Sequence, residues 1–325
     1  MNKYLVLDYG GTAVKIAIMD KDANVYSEDE KPVPRGSLEK LKDLNREIAK
    51  EYEGQYKGVA ISLPGIIDVD KGIAHTTSPY DVGYDVPLGA IYEEIYGVPV
   101  VIANDGKCAA TAELKMGALK GVESGVIVGL GTGIAGGIVI NGKLWAGYRG
   151  SAGEISFLPN DYAQIVEAAK NPVASDDPAW GAYEDKCFSA TYEYRASTNG
   201  LMRLWCKNMG VPFDREKYNG RLFFEKYDEG DEIAKATFEE FGWEVAVGMF
   251  SLQLTLDVER FAIGGGISAR PELIDHIRNC YSAVAKTQPD ITADLDDPEI
   301  VACKYRNGAN QVGALMYYLE KHPEA

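Results

Sequence analysis

Tyr4-Leu5-Val6-Leu7-Asp8-Tyr9-Gly10-Gly11-Thr12-Ala13-Val14-Lys15-Ile16-Ala17-Ile18 is an apolar run that ends in an aspartate and two glycines and then begins again. After the glycines, Val14, Ile16 and Ile18 alternate around Lys15 and Ala17, so the stretch predicts a glycine turn between two strands. A Walker loop needs G-x-x-x-x-G-K-[ST] at the start of a helix, and a Rossmann turn also opens a helix; neither fits a turn followed by strand period. Glycines let backbone N–H groups approach a phosphate, Thr12 adds a hydroxyl donor and Lys15 a positive charge. Asp8 can hold a Mg²⁺ through water. The stretch reads as a β-hairpin built to hold nucleotide phosphates.

Further along, the chain repeats the pattern. Val126-Ile127-Val128-Gly129-Leu130-Gly131-Thr132-Gly133 is again an apolar strand entering a glycine turn, and Gly136-Gly137-Ile138-Val139-Ile140 restarts a strand before Asn141-Gly142. Two such units about 120 residues apart predict a duplicated α/β fold, each half a mixed sheet under helices, with the nucleotide in the cleft between them. Helical period predicts helices over Leu38 to Tyr52, Leu88 to Tyr96, Lys107 to Met116, Ile233 to Leu256 and Pro271 to Ala285. A last helix, Gly308 to Glu320, can return to the first half. The expected division is 1–118 plus 308–325 against 119–307. A third glycine site, Phe261-Ala262-Ile263-Gly264-Gly265-Gly266, admits two readings, a flat backbone surface for adenine or ribose and an ordinary strand-to-helix turn.

Composition limits the function classes. The 325 residues are 46% hydrophobic and 25% charged, which suits a globular chain long enough for two domains. A formal charge of −16 opposes binding to nucleic acid or an anionic membrane. No apolar run reaches the roughly 18 residues of a membrane span, and no basic-then-apolar leader is present, so a cytoplasmic protein is expected. The five cysteines, Cys108, Cys187, Cys206, Cys280 and Cys303, are widely spaced with no C-x-x-C pair, and only three histidines accompany them. Reduced thiols and no zinc site are expected.

The chemistry is read at Val100-Val101-Ile102-Ala103-Asn104-Asp105-Gly106, an apolar strand ending where a helix begins. Asp105 has two readings there, as a helix cap or as a group at the carboxyl end of a buried strand, where α/β sheets gather their ligands. Phosphoryl transfer needs an acceptor hydroxyl aligned with the γ-phosphate and a base for its proton. Asp105 suits the base, and Asn104 can bond a neighbouring hydroxyl.

Taken together, these stretches resemble the ROK sugar kinases, within the actin, Hsp70 and hexokinase superfamily. Asp8-Tyr9-Gly10-Gly11-Thr12-Ala13-Val14-Lys15 matches the family's D-x-G-G-T-x-x-K phosphate motif, Ser62-Leu63-Pro64-Gly65 its PG sugar loop, and Asn104-Asp105 its ND pair. Gly129 through Gly137 matches its second phosphate motif, Ser151-Ala152-Gly153-Glu154 its A-G-E sugar element, and Gly264-Gly265-Gly266 its adenosine turn. The resemblance covers nearly the whole chain. It implies two ribonuclease H-like domains and Mg·ATP-dependent phosphorylation of a hexose or hexoside, usually at the 6-hydroxyl. Asp105 would be the base, with Gly65, Asn104, Asp105 and Glu154 on the sugar. Asp8, Gly10, Gly11, Thr12, Lys15, Gly131, Thr132, Gly133, Gly264, Gly265 and Gly266 would hold the nucleotide. A homodimer is also implied.

Three departures bear on the substrate. Where most members continue A-G-E with I-G-H, this chain reads Glu154-Ile155-Ser156-Phe157, and Phe157 can neither bond a sugar hydroxyl nor bind zinc. The family's cysteine-rich zinc element is replaced by Trp180 to Ser189; its last glutamate, which reaches the sugar near the anomeric carbon ahead of a serine, is matched by Glu184 by type or Asp185 by count from Ser189. The family's sugar-contacting asparagine is missing from His75-Thr76-Thr77-Ser78-Pro79-Tyr80-Asp81, where Tyr80 or Asp81 can substitute; His75 reads as a surface or structural residue. Without the histidine, relaxed selection for free glucose or acceptance of a β-glucoside is expected, and N-acetylmannosamine is a further candidate substrate. Phe157 as packing filler is the alternative. The stretches Tyr218 to Tyr227 and Trp243 to Leu256 read as core and a dimer face. ROK repressors carry a DNA-binding domain ahead of the phosphate motif, for which a motif starting at Asp8 leaves no room. A sugar sensor that has lost turnover is the remaining alternative.

Overall fold

In the computed structural model, residues 2–11, 13–34, 36–77, 80, 82–293, 296–305 and 308–324 are described. In chain order the first part comprises β1 (Lys3–Tyr9), β2 (Ala13–Asp20), β3 (Val25–Pro32), α1 (Leu38–Glu51), β4 (Val59–Leu63), β5 (Ile67–Asp68), β6 (Ile73–Ala74), α2 (Leu88–Tyr96), β7 (Val100–Asn104) and α3 (Asp105–Met116). There follow β8 (Ser124–Leu130), β9 (Ile134–Ile140), β10 (Lys143–Leu144), α4 (Tyr162–Lys170), α5 (Trp180–Ser189), α6 (Tyr192–Ala196), α7 (Thr198–Met209), α8 (Gly220–Asp228) and α9 (Glu232–Leu256). The last elements are β11 (Arg260–Gly264), α10 (Pro271–Ala285), α11 (Pro289–Thr292), β12 (Glu299–Ala302) and α12 (Ala309–Lys321).

The repeat seen in the sequence is a repeat of topology. The first sheet has the order β3-β2-β1-β4-β7 and the second β10-β9-β8-β11-β12, so each runs third, second, first, fourth, fifth in its own chain order. In the first, β1 pairs antiparallel with β2 and parallel with β4, and β4 parallel with β7. In the second, β11 lies parallel between β8 and β12.

Strand β1 is apolar at nearly every position because both faces of the first sheet are covered. Leu5, Leu7 and Tyr9, with Ile16 and Ile61, pack under Leu41, Leu44 and Ile48 of α1 and Leu88 and Tyr92 of α2. Tyr4 and Val6, with Ala60, Val101 and Ala103, pack on Cys108 of α3 and Ala314, Leu315 and Tyr318 of α12. Alternation along the strand therefore assigns Asp8 to the face of α3 and α12. The free edge is β3, whose Ser27-Glu28-Asp29-Glu30-Lys31 run carries enough charge to discourage pairing with another edge.

The chain divides into two compact units, Met1–Glu123 with Gly137–Gly153 and Cys303–Ala325, and Ser124–Gly136 with Glu154–Ala302. Residues 137–153, expected in the second half, thus group with the first, and so do 119–123 and 303–307. The reason is close packing: a Cβ on Gly137 would lie 2.3 Å from Ala110 Cβ and 3.1 Å from the Gly106 carbonyl, both on α3. Glu113 fixes the incoming chain at the other end of α3, its buried carboxylate accepting from the backbone N–H of Lys304 at 3.1 Å and Tyr305 at 2.8 Å.

Candidate functional site

In the first unit the predicted residues gather at the carboxyl ends of β1, β4 and β7. Sheet register places Asp8 between Lys15 of β2 and Ser62 of β4. Its carboxylate is buried, and Oδ1 accepts from Ser62 Oγ at 3.0 Å and Asn310 Nδ2 at 3.1 Å. Oδ2 has no protein hydrogen bond among the described residues. Burial pushes the Asp8 carboxyl up, against the lowering effect of Asn310, Ser62 and Lys15. The turn that follows is closed by the Gly10 N–H donating to the Ala13 carbonyl at 2.9 Å. Around Gly11 there is open space, with nothing within 4 Å of where a Cβ would stand. Thr12 lies outside the described residues.

The burial of Asp8 carries a stability prediction. Its folded-state value stands above the 3.8 of a free aspartate, so the native state binds more protons than the unfolded chain in the interval between the two. Wild-type stability therefore falls as pH rises through that interval and is flat above it. Asp8→Asn removes the ionisation and is expected to melt higher than wild type at pH 7, with the gap closing on acidification. Thermal melts at pH 4 to 7 check this, and a variant that melts lower at pH 7 would contradict it.

Asn104 and Asp105 divide the two roles that the sequence left open. The cap of α3 is Asn104, whose Oδ1 accepts from the Lys107 N–H at 3.0 Å. Its Nδ2 donates both to the Gly65 carbonyl at 2.8 Å and to Asp105 Oδ1 at 3.0 Å. Asp105 is thereby the first residue of the helix, with Oδ1 also accepting from the Gly106 N–H at 2.8 Å. Gly65 has φ +111°, and a Cβ there would lie 2.1 Å from the Thr76 carbonyl, so no other residue fits. Cys108, one turn on, is pushed well up by burial and then by the charges of Asp105 and Asp8.

Tyr80 is one of the two residues read as substitutes for the missing asparagine. Its ring is buried, and its hydroxyl donates to the Gly10 carbonyl. Asp81, the other substitute, lies outside the described residues. His75 pairs through Nδ1 with Asp85 Oδ1 at 2.5 Å.

The second unit brings its own set together. Thr198, at the start of α7, donates its N–H to the Gly131 carbonyl at 2.8 Å and its Oγ1 to the Leu130 carbonyl at 3.0 Å. Gly265, φ +87°, lies so close that a Cβ would stand 2.2 Å from the Leu130 carbonyl, so the Gly264-Gly265-Gly266 turn rests on the Gly131-Thr132-Gly133 turn. Glu193 is the acidic group at this turn: a Cβ on Gly133 would be 2.8 Å from its carboxylate, and its Oε2 accepts from the Ile134 N–H at 3.4 Å. Burial raises its carboxyl, while that N–H and the Arg203 charge lower it. Glu154 is half-buried just ahead of the 3₁₀ turn Ile155–Phe157.

Glu184 and Asp185, by contrast, are exposed on α5, a helix with no buried residue. The count back from Ser189 leads to Asp185 and passes over Glu193. A signal was present in Ser197, the next serine, which is fully buried and caps α7, four residues beyond Glu193. Phe157 is 69% exposed, so it is not packing filler. Among the described residues no helix is long and apolar enough to cross a membrane, and no cluster of three His, Cys, Asp or Glu side chains could hold a metal ion.

Comparison with known proteins extends over nearly the whole chain. A β-glucoside kinase of Listeria innocua is 26% identical, the match covering 98% of this chain and 98% of its own. A glucokinase of Halalkalibacterium halodurans is 27% identical over 87% of this chain and 86% of its own. A ROK family glucokinase from Streptomyces griseus, solved with glucose and AMPPNP, superposes with a TM-score of 0.75 at 25% identity, covering 97% of this chain and 98% of that one. The α/β architecture is that of the sugar kinases with the actin-like ATPase fold. The ROK family model matches residues 4–321, and the chain belongs to the ROK family.

Proposed function

We propose that the protein is an ATP-dependent sugar kinase that transfers the γ-phosphoryl group to a hexose or hexoside hydroxyl, the 6-hydroxyl by family resemblance, with Asp105 as general base. The observation that carries this is the Asn104 side chain, which bonds the Gly65 carbonyl and Asp105 Oδ1 at once. It holds the carboxylate at the mouth of α3, beside the loop expected to take the sugar. In the reaction the acceptor oxygen bonds to the γ-phosphorus, its proton passes to the Asp105 carboxylate, and the bond from the γ-phosphorus to the bridging oxygen breaks to release ADP. Asp105 and Asn104 orient the acceptor, and the two glycine turns offer backbone N–H groups to the phosphates.

The residues also fit a magnesium ion. Among the described residues Asp8 keeps one oxygen without a protein hydrogen bond while the other is held by Ser62 and Asn310, which suits a carboxylate that holds a hydrated cation through water. Mg²⁺ would neutralise charge on the nucleotide phosphates. The Asp8→Asn variant, expected to be the more stable, is accordingly expected to lose turnover, a trade common at functional sites.

For the sugar, we assign Gly65, Asn104, Asp105 and Glu154 by family resemblance, with Glu193. Glu193 takes the place given by sequence to Glu184, because it is the partly buried carboxylate beside Gly133. An exposed Phe157 in place of a histidine removes a polar partner near the anomeric end, which favours a substrate substituted there, and the similarity to β-glucoside kinases supports that class. Glu193→Gln is expected to raise the KM for sugar about ten-fold with little change in kcat, as for loss of one buried hydrogen bond. ADP release with Mg·ATP and glucose, cellobiose, N-acetylmannosamine, fructose or allose tests the whole reading. Strict preference for free glucose would sink the glucoside assignment, and an unchanged KM in Glu193→Gln would remove that residue from the site.

A further inference from the structure

Asp8 is a carboxylate only 6% exposed, at the carboxyl end of β1. The positive charge that reaches it is that of Lys15, its neighbour on β2, and no ion pair joins the two among the described residues. Its two side-chain donors are both neutral, and both go to one oxygen: Ser62 Oγ from β4 at 3.0 Å and Asn310 Nδ2 from α12 at 3.1 Å. A carboxylate oxygen offers two acceptor sites, so these donors fill Oδ1. They fix the carboxylate without cancelling its charge, and they leave Oδ2 as the oxygen on which a cation can draw.

Neither donor is needed to hold its own element. Ala314, Leu315 and Tyr318 of α12 pack on Tyr4, Val6 and Ala60 of the sheet, and Gly313 makes the close crossing with Cys108 of α3. The Asn310 side chain makes one hydrogen bond among the described residues, the one to Asp8. Ser62 stands in β4, which is paired on both sides, with β1 and with β7. Two residues from separate elements of one unit thus meet on the same carboxylate oxygen.

The consequence is a choice of cation. Mg²⁺ is small, keeps much of its water and is held by few carboxylate oxygens beside the phosphates of a substrate. Ca²⁺ is larger, gathers more oxygens and readily takes both from one carboxylate. We propose that Asn310, together with Ser62, is a positioning residue that makes Asp8 a one-oxygen site and so selects Mg²⁺ over Ca²⁺ with the bound nucleotide. The inference rests on the sugar kinase reading above, with Asp8 toward the cation of the nucleotide.

Isothermal titration of AMPPNP into wild type, Asn310→Ala and Ser62→Ala, each with Mg²⁺, with Ca²⁺ and with EDTA, tests this. Wild type is expected to bind Mg·AMPPNP more tightly than Ca·AMPPNP. In each variant the ratio of those affinities is expected to fall about ten-fold, as for loss of one buried hydrogen bond, while metal-free AMPPNP binds as it does to wild type. Because Ser62→Ala acts from β4, it reads the same oxygen even if Asn310→Ala does not fold. A wild type that does not discriminate, or variants that keep the wild-type ratio, would overturn the proposal. Equal weakening with Mg²⁺, Ca²⁺ and EDTA would overturn it as well, leaving the two residues structural. Failure of the kinase reading would show separately, as wild-type protein that releases no ADP from Mg·ATP with any sugar.

Discussion

Asp105→Asn is expected to lower kcat by about 10²–10⁴-fold, the usual contribution of a general base, while the KM for ATP and the affinity for sugar stay close to wild type. The substitution preserves shape and keeps an oxygen to accept from Asn104 Nδ2 at 3.0 Å and Gly106 N–H at 2.8 Å. What it removes is the ability to take a proton from the acceptor. The cap of α3 belongs to Asn104, so the helix does not depend on Asp105 for its start, and the melting temperature should change little. A variant with wild-type turnover would show that Asp105 is not the base. One that lost turnover and stability together would point to a structural carboxylate.

The largest effect on stability is expected at Gly313→Ala, in α12. In an ordinary helix interior this change stabilises by about 1 kcal/mol. Here a Cβ would stand 1.7 Å from the Cys108 carbonyl oxygen and 2.3 Å from its carbon, so α12 could accept it only by moving away from α3. Backbone yields less readily than a side chain, and the cost should reach about 3 kcal/mol or more. The first melting transition would fall by about 6–12 °C. The displaced helix would carry Asn310 from Asp8 Oδ1 and shift α3 three residues from Asp105, so turnover should fall as well. A variant as stable as wild type would mean that α3 and α12 cross less tightly than described.

Much of this fold is legible because it rests on periodicity. The helix read as Leu88 to Tyr96 and that read as Pro271 to Ala285 have those bounds in the structure. The turn at Gly10 and its counterpart at Gly131 announce the duplicated sheet. What local pattern cannot show is which partner a side chain finds across the chain. Asn104 and Asp105 are adjacent, and either suits a helix cap; only the structure shows that Asn104 takes the cap through the Lys107 N–H at 3.0 Å while its Nδ2 reaches Gly65 at 2.8 Å. Tyr80 can be read from its place in the loop as a substitute for the asparagine, and local pattern gives no sign of the bond from its hydroxyl to the Gly10 carbonyl. The count from Ser189 misses Glu193 because Trp180 to Ser189 lacks the family's cysteine-rich pattern to fix the register, whereas in space Glu193 lies beside Gly133. Residues 137–153 were assigned by their neighbours in sequence, but the missing side chain at Gly137 lets them settle on α3.

The central claim is tested most directly by incubating the wild-type protein with Mg·ATP and each sugar in turn and following ADP and phosphate ester together by ³¹P nuclear magnetic resonance. Sugar-dependent release of ADP is expected, matched one to one by a sugar phosphate and lost in Asp105→Asn. ADP release at the same rate without sugar, or no release with any sugar, would contradict the assignment of this chain as a sugar kinase.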